Sequence, residues 1–218
     1  MRVTKTQKIA AAAVLSLTTA GVVGTAMNTS TASVGAQSSG EPTTQAALRP
    51  LNDSGGSGRA EVTVSGRDLR VVLQIREVLA DMPHAQHIHF GKTARHECPT
   101  VHDDDNHDHR LTTVEGAPAY GPVRVSLTTR GDTSPDSTLA VNRFPTASDG
   151  DYRYARTIRV GDRLANKIEA GKGVIVIHGI DYNGNGMYDF EGAGASELDP
   201  SLPAEATDPA VCGVLRAN

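Results

Sequence analysis

Short runs in which every second residue is apolar recur along this chain, and they restrict its fold more than any other feature. Glu61-Val62-Thr63-Val64 alternates, Ser65-Gly66-Arg67-Asp68 reads as a turn, and 69–75 mixes apolar with polar residues, so this stretch predicts a hairpin. Residues 122–128 and 152–160 alternate again, 86–90 is short and rich in histidine, and 210–215 closes the chain. Residues 173–177 form a continuous apolar run, read as a strand that leads into His178. Helical spacing occurs only at 164–170, through Leu164, Lys167 and Ile168. Many short strands with glycine- and proline-rich connections predict an all-β sandwich or barrel.

The N-terminus is expected to be an export signal, with an uncleaved membrane anchor as the alternative. Arg2, Lys5 and Lys8 precede a small, apolar stretch over 9–26, and Val34-Gly35-Ala36 offers a small-x-small cleavage site, with Gly24-Thr25-Ala26 as a second. Residues 1–36 are then the signal. Residues 37–58, with Ser38-Ser39-Gly40, Thr43-Thr44 and Gly55-Gly56-Ser57-Gly58, read as a flexible tether, and 59–218 as the folded domain. The two cysteines, Cys98 and Cys212, fit an oxidising compartment. An even count suggests one bridge; two free thiols or soft metal ligands are the alternative, which no CxxC supports.

Composition excludes several classes. The 218 residues carry a formal charge of −4, and without the three N-terminal cations the remainder lies near −7. An acidic domain with no basic stripe along its sequence, and only 4% aromatic residues, argues against a nucleic-acid partner. No long apolar run follows the first 26 residues, so no membrane association is expected beyond the export signal.

Seven of the eight histidines fall from His84 to His109. In a strand, residues two apart face the same side, so His87 and His89 point together, as a metal site requires. His178, at the end of a different strand, could supply a third nitrogen. Tetragonal imidazoles suit copper and a tetrahedral set suits zinc; a plain pair of surface histidines is the alternative.

The segment His84-Ala85-Gln86-His87-Ile88-His89-Phe90-Gly91 resembles the copper-binding strand of the Cu/Zn superoxide dismutase family. Cys98 stands where that family has its first bridging cysteine, Val174-Ile175-Val176-Ile177-His178 resembles the strand ending in its last copper ligand, and Ala210-Val211-Cys212-Gly213-Val214-Leu215 resembles its final strand. The resemblance implies a Greek-key β-sandwich or barrel with long metal-binding loops, copper held by His87, His89 and His178, and a Cys98–Cys212 bridge. On that reading His84 faces away from the metal and hydrogen-bonds between loops. The same islands, with Gly171–His178, also resemble the CHRD domain of chordin and bacterial exported proteins, whose motif does not establish an enzyme.

The segment after Cys98 departs from the dismutase pattern. His102 is a candidate bridging ligand and proton relay at a shorter spacing, and a zinc site from His107, His109 and an aspartate is a further expectation. The same segment follows a calcium-loop register, with Asp104, Asn106 and Asp108 at positions 1, 3 and 5, the Arg110 carbonyl at 7 and Glu115 at 12. Its fault is His109 where the loop wants glycine. A second such loop offers Asp181, Asn183, Asn185, the Met187 carbonyl and Asp189, with Glu191 replacing the missing terminal acid. No lysine or arginine occurs from 173 to 215, so if this acidic loop flanks the copper it repels an anion. Arg95 or Lys92 could supply positive charge from elsewhere. The expectation is a secreted, metal-binding, dismutase-like protein that disproportionates superoxide at copper. The alternative is a non-catalytic, calcium-braced CHRD-like module that engages an extracellular partner or stores metal.

Overall fold

A computed structural model of the chain describes residues 40–217; the expected signal over 1–36 lies outside them. The strands are β1 (Thr43–Pro50), β2 (Ser57–Ser65), β3 (Asp68–Arg76), β4 (Gln86–His89), β5 (Val123–Ser126), β6 (Tyr152–Arg159), β7 (Val174–His178), β8 (Pro209–Val214) and β9 (Arg216–Ala217). The helices are α1 (Thr113–Tyr120), α2 (Asp162–Glu169), α3 (Phe190–Ala193) and α4 (Ala204–Thr207). None among the described residues is long and apolar enough to cross a membrane.

The strands form one antiparallel sheet in the order β5-β4-β7-β8-β1-β2-β3-β6, with β9 beside β1. The late strands β7 and β8 return between β4 and β1, the non-sequential order of Greek-key sheets. The two ends of the sheet are tied by side chains: Tyr154 Oη and Arg156 Nη1 donate to the carbonyl of Thr128, just beyond β5, at 3.2 and 2.8 Å. The all-β expectation holds, and the hairpin, β4 to β8 and helix α2 lie where alternation and helical spacing put them.

Alternation sorts the strands into an inner and an outer face. Leu48, Val62, Leu69, Val71, Leu73, Ile88, Ile158, Ile175, Ile177 and Leu215 are all buried in the main core. Burying a side chain of this size is worth roughly 1.5–3 kcal/mol, so this set dominates the favourable side of folding. β7 is buried along its whole length, because Val174 and Val176 pack outward against Tyr120, Cys98 and Cys212 in a second cluster.

Two expectations are corrected. Residues 43–50, read as tether, form β1, with Thr44, Ala46 and Leu48 inward and Gln45, Ala47 and Arg49 outward. The alternation is present but carried by small residues, so composition hides it. The absence of a basic stripe along the sequence also does not carry into the fold. The outer face of β1, β2, β3 and β6 gathers Arg49, Arg59, Arg70, Arg76, Arg153 and Arg159, scattered in sequence but placed on one side by the period of two.

Cys98 and Cys212 form a disulfide with Cα atoms 5.8 Å apart. Cys212 pairs with Val176 and Val176 with His87, so bridge and histidine share one row and one face of the sheet.

Candidate metal centre

β4 lifts His87 and His89 onto the face opposite Ile88, and β7 ends on His178 beside them. All three are at least 97% buried. Their ring centroids lie 5.1 Å (His87–His178), 5.6 Å (His87–His89) and 6.1 Å (His89–His178) apart. One nitrogen of each lies within 4.8 Å of the other two, and this is the only such group of three His, Cys, Asp or Glu among the described residues.

Backbone carbonyls set the tautomers. Nε2 of His87 donates to Thr138 O at 3.1 Å, Nδ1 of His89 to Gly121 O at 2.7 Å and Nδ1 of His178 to Thr207 O at 2.6 Å. A carbonyl only accepts, so these nitrogens carry the protons. The others (Nδ1 of His87, Nε2 of His89 and Nε2 of His178) are buried lone pairs with no protein partner. Such atoms are costly unless something binds them. Outer contacts that orient ligating imidazoles in this way are a recurring feature of metal sites.

Gly121 is fixed by this role. It caps α1 at φ +85°, and an added Cβ would lie 2.7 Å from Gly91 N. Tyr120 packs on His89 with ring centroids 4.5 Å apart, and Phe144 on His87 at 5.4 Å. His84 points away, as expected: its ring nitrogens sit 2.9 Å from the carbonyls of Leu79 and His178.

Burial first, then mutual repulsion with the other imidazoles, pushes His87 well below its ordinary value. The same causes take His89 to about 3, and burial takes His178 to about 4. All three are therefore neutral at pH 7, the form that ligates. Because the folded values lie below the unfolded 6.5, the unfolded chain binds more protons from about pH 6.5 down to 3. Stability is lost as pH falls through that window. Asp208, raised by burial to about 7 despite Arg110 3.4 Å away, acts in the opposite sense over pH 4–7. These imidazoles, with His84 lowered by burial in the same sense, outweigh one carboxyl, leaving a net loss on the order of a few kcal/mol at pH 5. The metal-free protein is expected to melt roughly 10 °C lower at pH 5 than at pH 7. A melting temperature independent of pH over that range contradicts buried, neutral imidazoles.

The open side of the triad faces a cavity of about 260 Å³, walled by Val114, Ala117, Tyr120, Leu139, Val141 and Leu198 among others, with no charged side chain in its lining. Leu198, Ala206 and Thr207 of the acidic segment 173–215 line it, but none of that segment's acids does. Arg95 and Lys92 are absent too; Arg95 is held by Glu97 and Asp103.

His102 is not brought to the triad. It lies exposed in a 3-10 turn over Val101–Asp103, whose capping box with Thr100 and Asp103 fixes it in the loop after the disulfide. His107 and His109 are also exposed and converge with no aspartate as a ligand set. The expected bridging ligand and zinc site are thus not assembled.

The two aspartate loops share one backbone course. In the first, Asp104 accepts from the N–H groups of Asp108 and His109, Asn106 from Asp108, and Asp108 from Arg110. In the second, Asp181 accepts from Gly184, Asn185 and Gly186, Asn183 from Asn185, and Asn185 from Met187. Positions 4 and 6 are left-handed in both: His107 and His109 at φ +61° and +66°, Gly184 and Gly186 at +74° and +87°. His109 thus adopts the glycine conformation despite its Cβ. Glu115 uses both oxygens on backbone, accepting from Asp105 and Thr112. Asp189 accepts from the N–H groups of Glu191 and Gly192.

In the sequence Glu205 counts only as one of the acids of 173–215. Fully buried in α4, it accepts from the N–H groups of Tyr182 and Asp189, both at 2.8 Å, and so staples the second loop to the segment whose Thr207 carbonyl holds His178. Arg110 joins the first loop to that segment through Asp208 and to α3 through the Ala193 carbonyl. A lone acid in a short helix carries no periodic signal that marks it in advance.

No known family model matches the chain, and no curated protein matches it. Among solved structures it is similar to a mutant of superoxide dismutase 5 from Candida albicans, at 12% identity over 82% of this chain and 93% of that one, with a TM-score of 0.41.

Proposed function

We propose that this chain is a copper protein that disproportionates superoxide, with His87, His89 and His178 as the metal ligands. The single observation that carries the reading is the convergence of three buried imidazole lone pairs, each left free by a carbonyl that holds the opposite nitrogen. Neutral nitrogen donors without a carboxylate suit a metal such as copper or zinc, and the missing fourth histidine leaves one face open. Copper bound there supplies one-electron exchange, by which two superoxide ions and two protons become dioxygen and hydrogen peroxide.

The chain's own part is to hold, expose and leave charge uncompensated. The carbonyls of Thr138, Gly121 and Thr207 keep each ring from turning. The cavity admits a small molecule to the open face and has no charged side chain in its lining. With three uncharged ligands, the cation's full charge is left to draw an anion. The copper-loaded protein is expected to remove superoxide, and inactivity at one copper per chain overturns the assignment. The disulfide fits the oxidising compartment that an export signal implies.

A second reading rests on the matching course of the two loops. Asp104, Asn106, Asp108, Arg110 and Glu115, and Asp181, Asn183, Asn185, Met187 and Asp189, supply the oxygen-rich sets that suit calcium. Calcium would then brace the segments around the triad, with or without catalysis. Millimolar calcium is expected to raise the melting temperature by several degrees, since a ligand that binds only the folded state stabilises it by mass action. No shift on adding calcium and then a chelator removes this reading.

A further inference from the structure

The outer face of β1, β2, β3 and β6 contrasts with the acidic composition of the chain. Arg49, Arg59, Arg70, Arg76 and Arg153 are exposed and make no salt bridge among the described residues; Arg159 alone pairs, with Asp68 at 3.2 Å. Strand register places three rows across the sheet. The middle row runs Gln45–Glu61–Val72–Ala155, one flank carries Ala47–Arg59–Gln74–Arg153, and the other carries Thr63–Arg70–Thr157. The small residues Ala47 and Val72 floor a shallow trough of about 560 Å³, with Arg59 and Arg153 on one side and Arg70 on the other. Arg59 and Arg153 are two strands apart, roughly 10 Å.

We infer that this trough binds a linear, carboxylate-bearing polysaccharide laid across the strands. Guanidinium forks recognise carboxylates in bidentate fashion, and cations set along both sides of a groove suit a chain with repeated acidic groups. Glu61, Gln45 and Gln74 lie among the arginines, where a sugar offers hydroxyls for each to hydrogen-bond. A nucleic acid finds no aromatic ring on which an unpaired base can stack. A bilayer finds no large apolar side chain to insert. The face lies across the main core from the histidine triad, so its occupancy is separate from the metal reading.

The test is binding of the full chain to polygalacturonate, single-stranded DNA and neutral dextran at rising salt. Binding to polygalacturonate that weakens with salt, at least tenfold tighter than to DNA and absent with dextran, is the expected result. Arg59→Gln combined with Arg70→Gln and Arg153→Gln should weaken it at least tenfold, with melting temperature and metal content unchanged because these side chains are exposed and unpaired. Failure to bind polygalacturonate overturns the inference. So does equal or tighter binding to DNA, or full binding by the triple variant.

Discussion

Replacing His178 with alanine is expected to lower copper affinity by at least 100-fold and to abolish superoxide removal. The ligand set shrinks from three nitrogens to two, and no neighbouring donor can move in: the cavity wall is apolar, His84 is held by the carbonyls of Leu79 and His178, and His102 is held in its own capped turn. The fold should survive, because Thr207 O keeps a donor in the Thr113 hydroxyl. His87→Ala and His89→Ala should behave alike. A graded companion is Gly121→Ala, which leaves all three rings in place but forces a Cβ onto a left-handed backbone 2.7 Å from Gly91 N. The carbonyl that orients His89 then shifts, and an outer-contact defect of this kind costs about 10–100-fold in metal affinity. Copper titration of the four variants, read beside near-ultraviolet circular dichroism, checks the series. Stoichiometric copper in His178→Ala defeats the assignment; equal affinities for Gly121→Ala and the parent defeat the role given to the carbonyl.

The series also marks where sequence reasoning reaches its limit. His87 and His89 are legible because a period of two is a property of any strand. His178 is legible because a wholly apolar run that stops at a histidine describes a buried strand delivering one polar side chain at its end. The groups that make the three rings a site are backbone carbonyls at Gly121, Thr138 and Thr207, which no residue type announces. The expectation for His102 rests on its distance in sequence from Cys98, and a short capped turn suffices to carry it elsewhere. β1 is hidden because Thr44 and Ala46 bury too little apolar surface to stand out from a serine- and glycine-rich stretch. The cationic face is hidden for a different reason. Arg59, Arg70 and Arg153 become neighbours only through the pairing of β2, β3 and β6, and register is a tertiary fact.

Serine at both Cys98 and Cys212 is expected to destabilise the protein by about 4–5 kcal/mol in the chain-entropy account, since the bridge closes a segment of 114 residues. For a domain of this size that is a fall of roughly 10–20 °C in melting temperature. Part of the effect should appear at the metal. The bridge fixes the loop between β4 and α1 against β8, and that loop is tied to α1 by the N–H groups of Arg95 and Glu97, which donate to the carbonyls of Pro118 and Ala119. The next residues along are Tyr120, packed on His89, and Gly121, whose carbonyl orients it. If the bridge acted only on the unfolded chain, the double variant would melt early yet bind copper as tightly as the parent. The row that joins Cys212, Val176 and His87 across β8, β7 and β4 argues otherwise. Loosening the covering loop frees the Gly121 carbonyl while leaving the strand residues in place, so copper affinity should fall by about tenfold at a temperature where the variant is still folded. Melting curves and copper titrations of the same preparation separate the two contributions: an unchanged melting temperature refutes the stabilising role, and an unchanged affinity confines the bridge to the unfolded state.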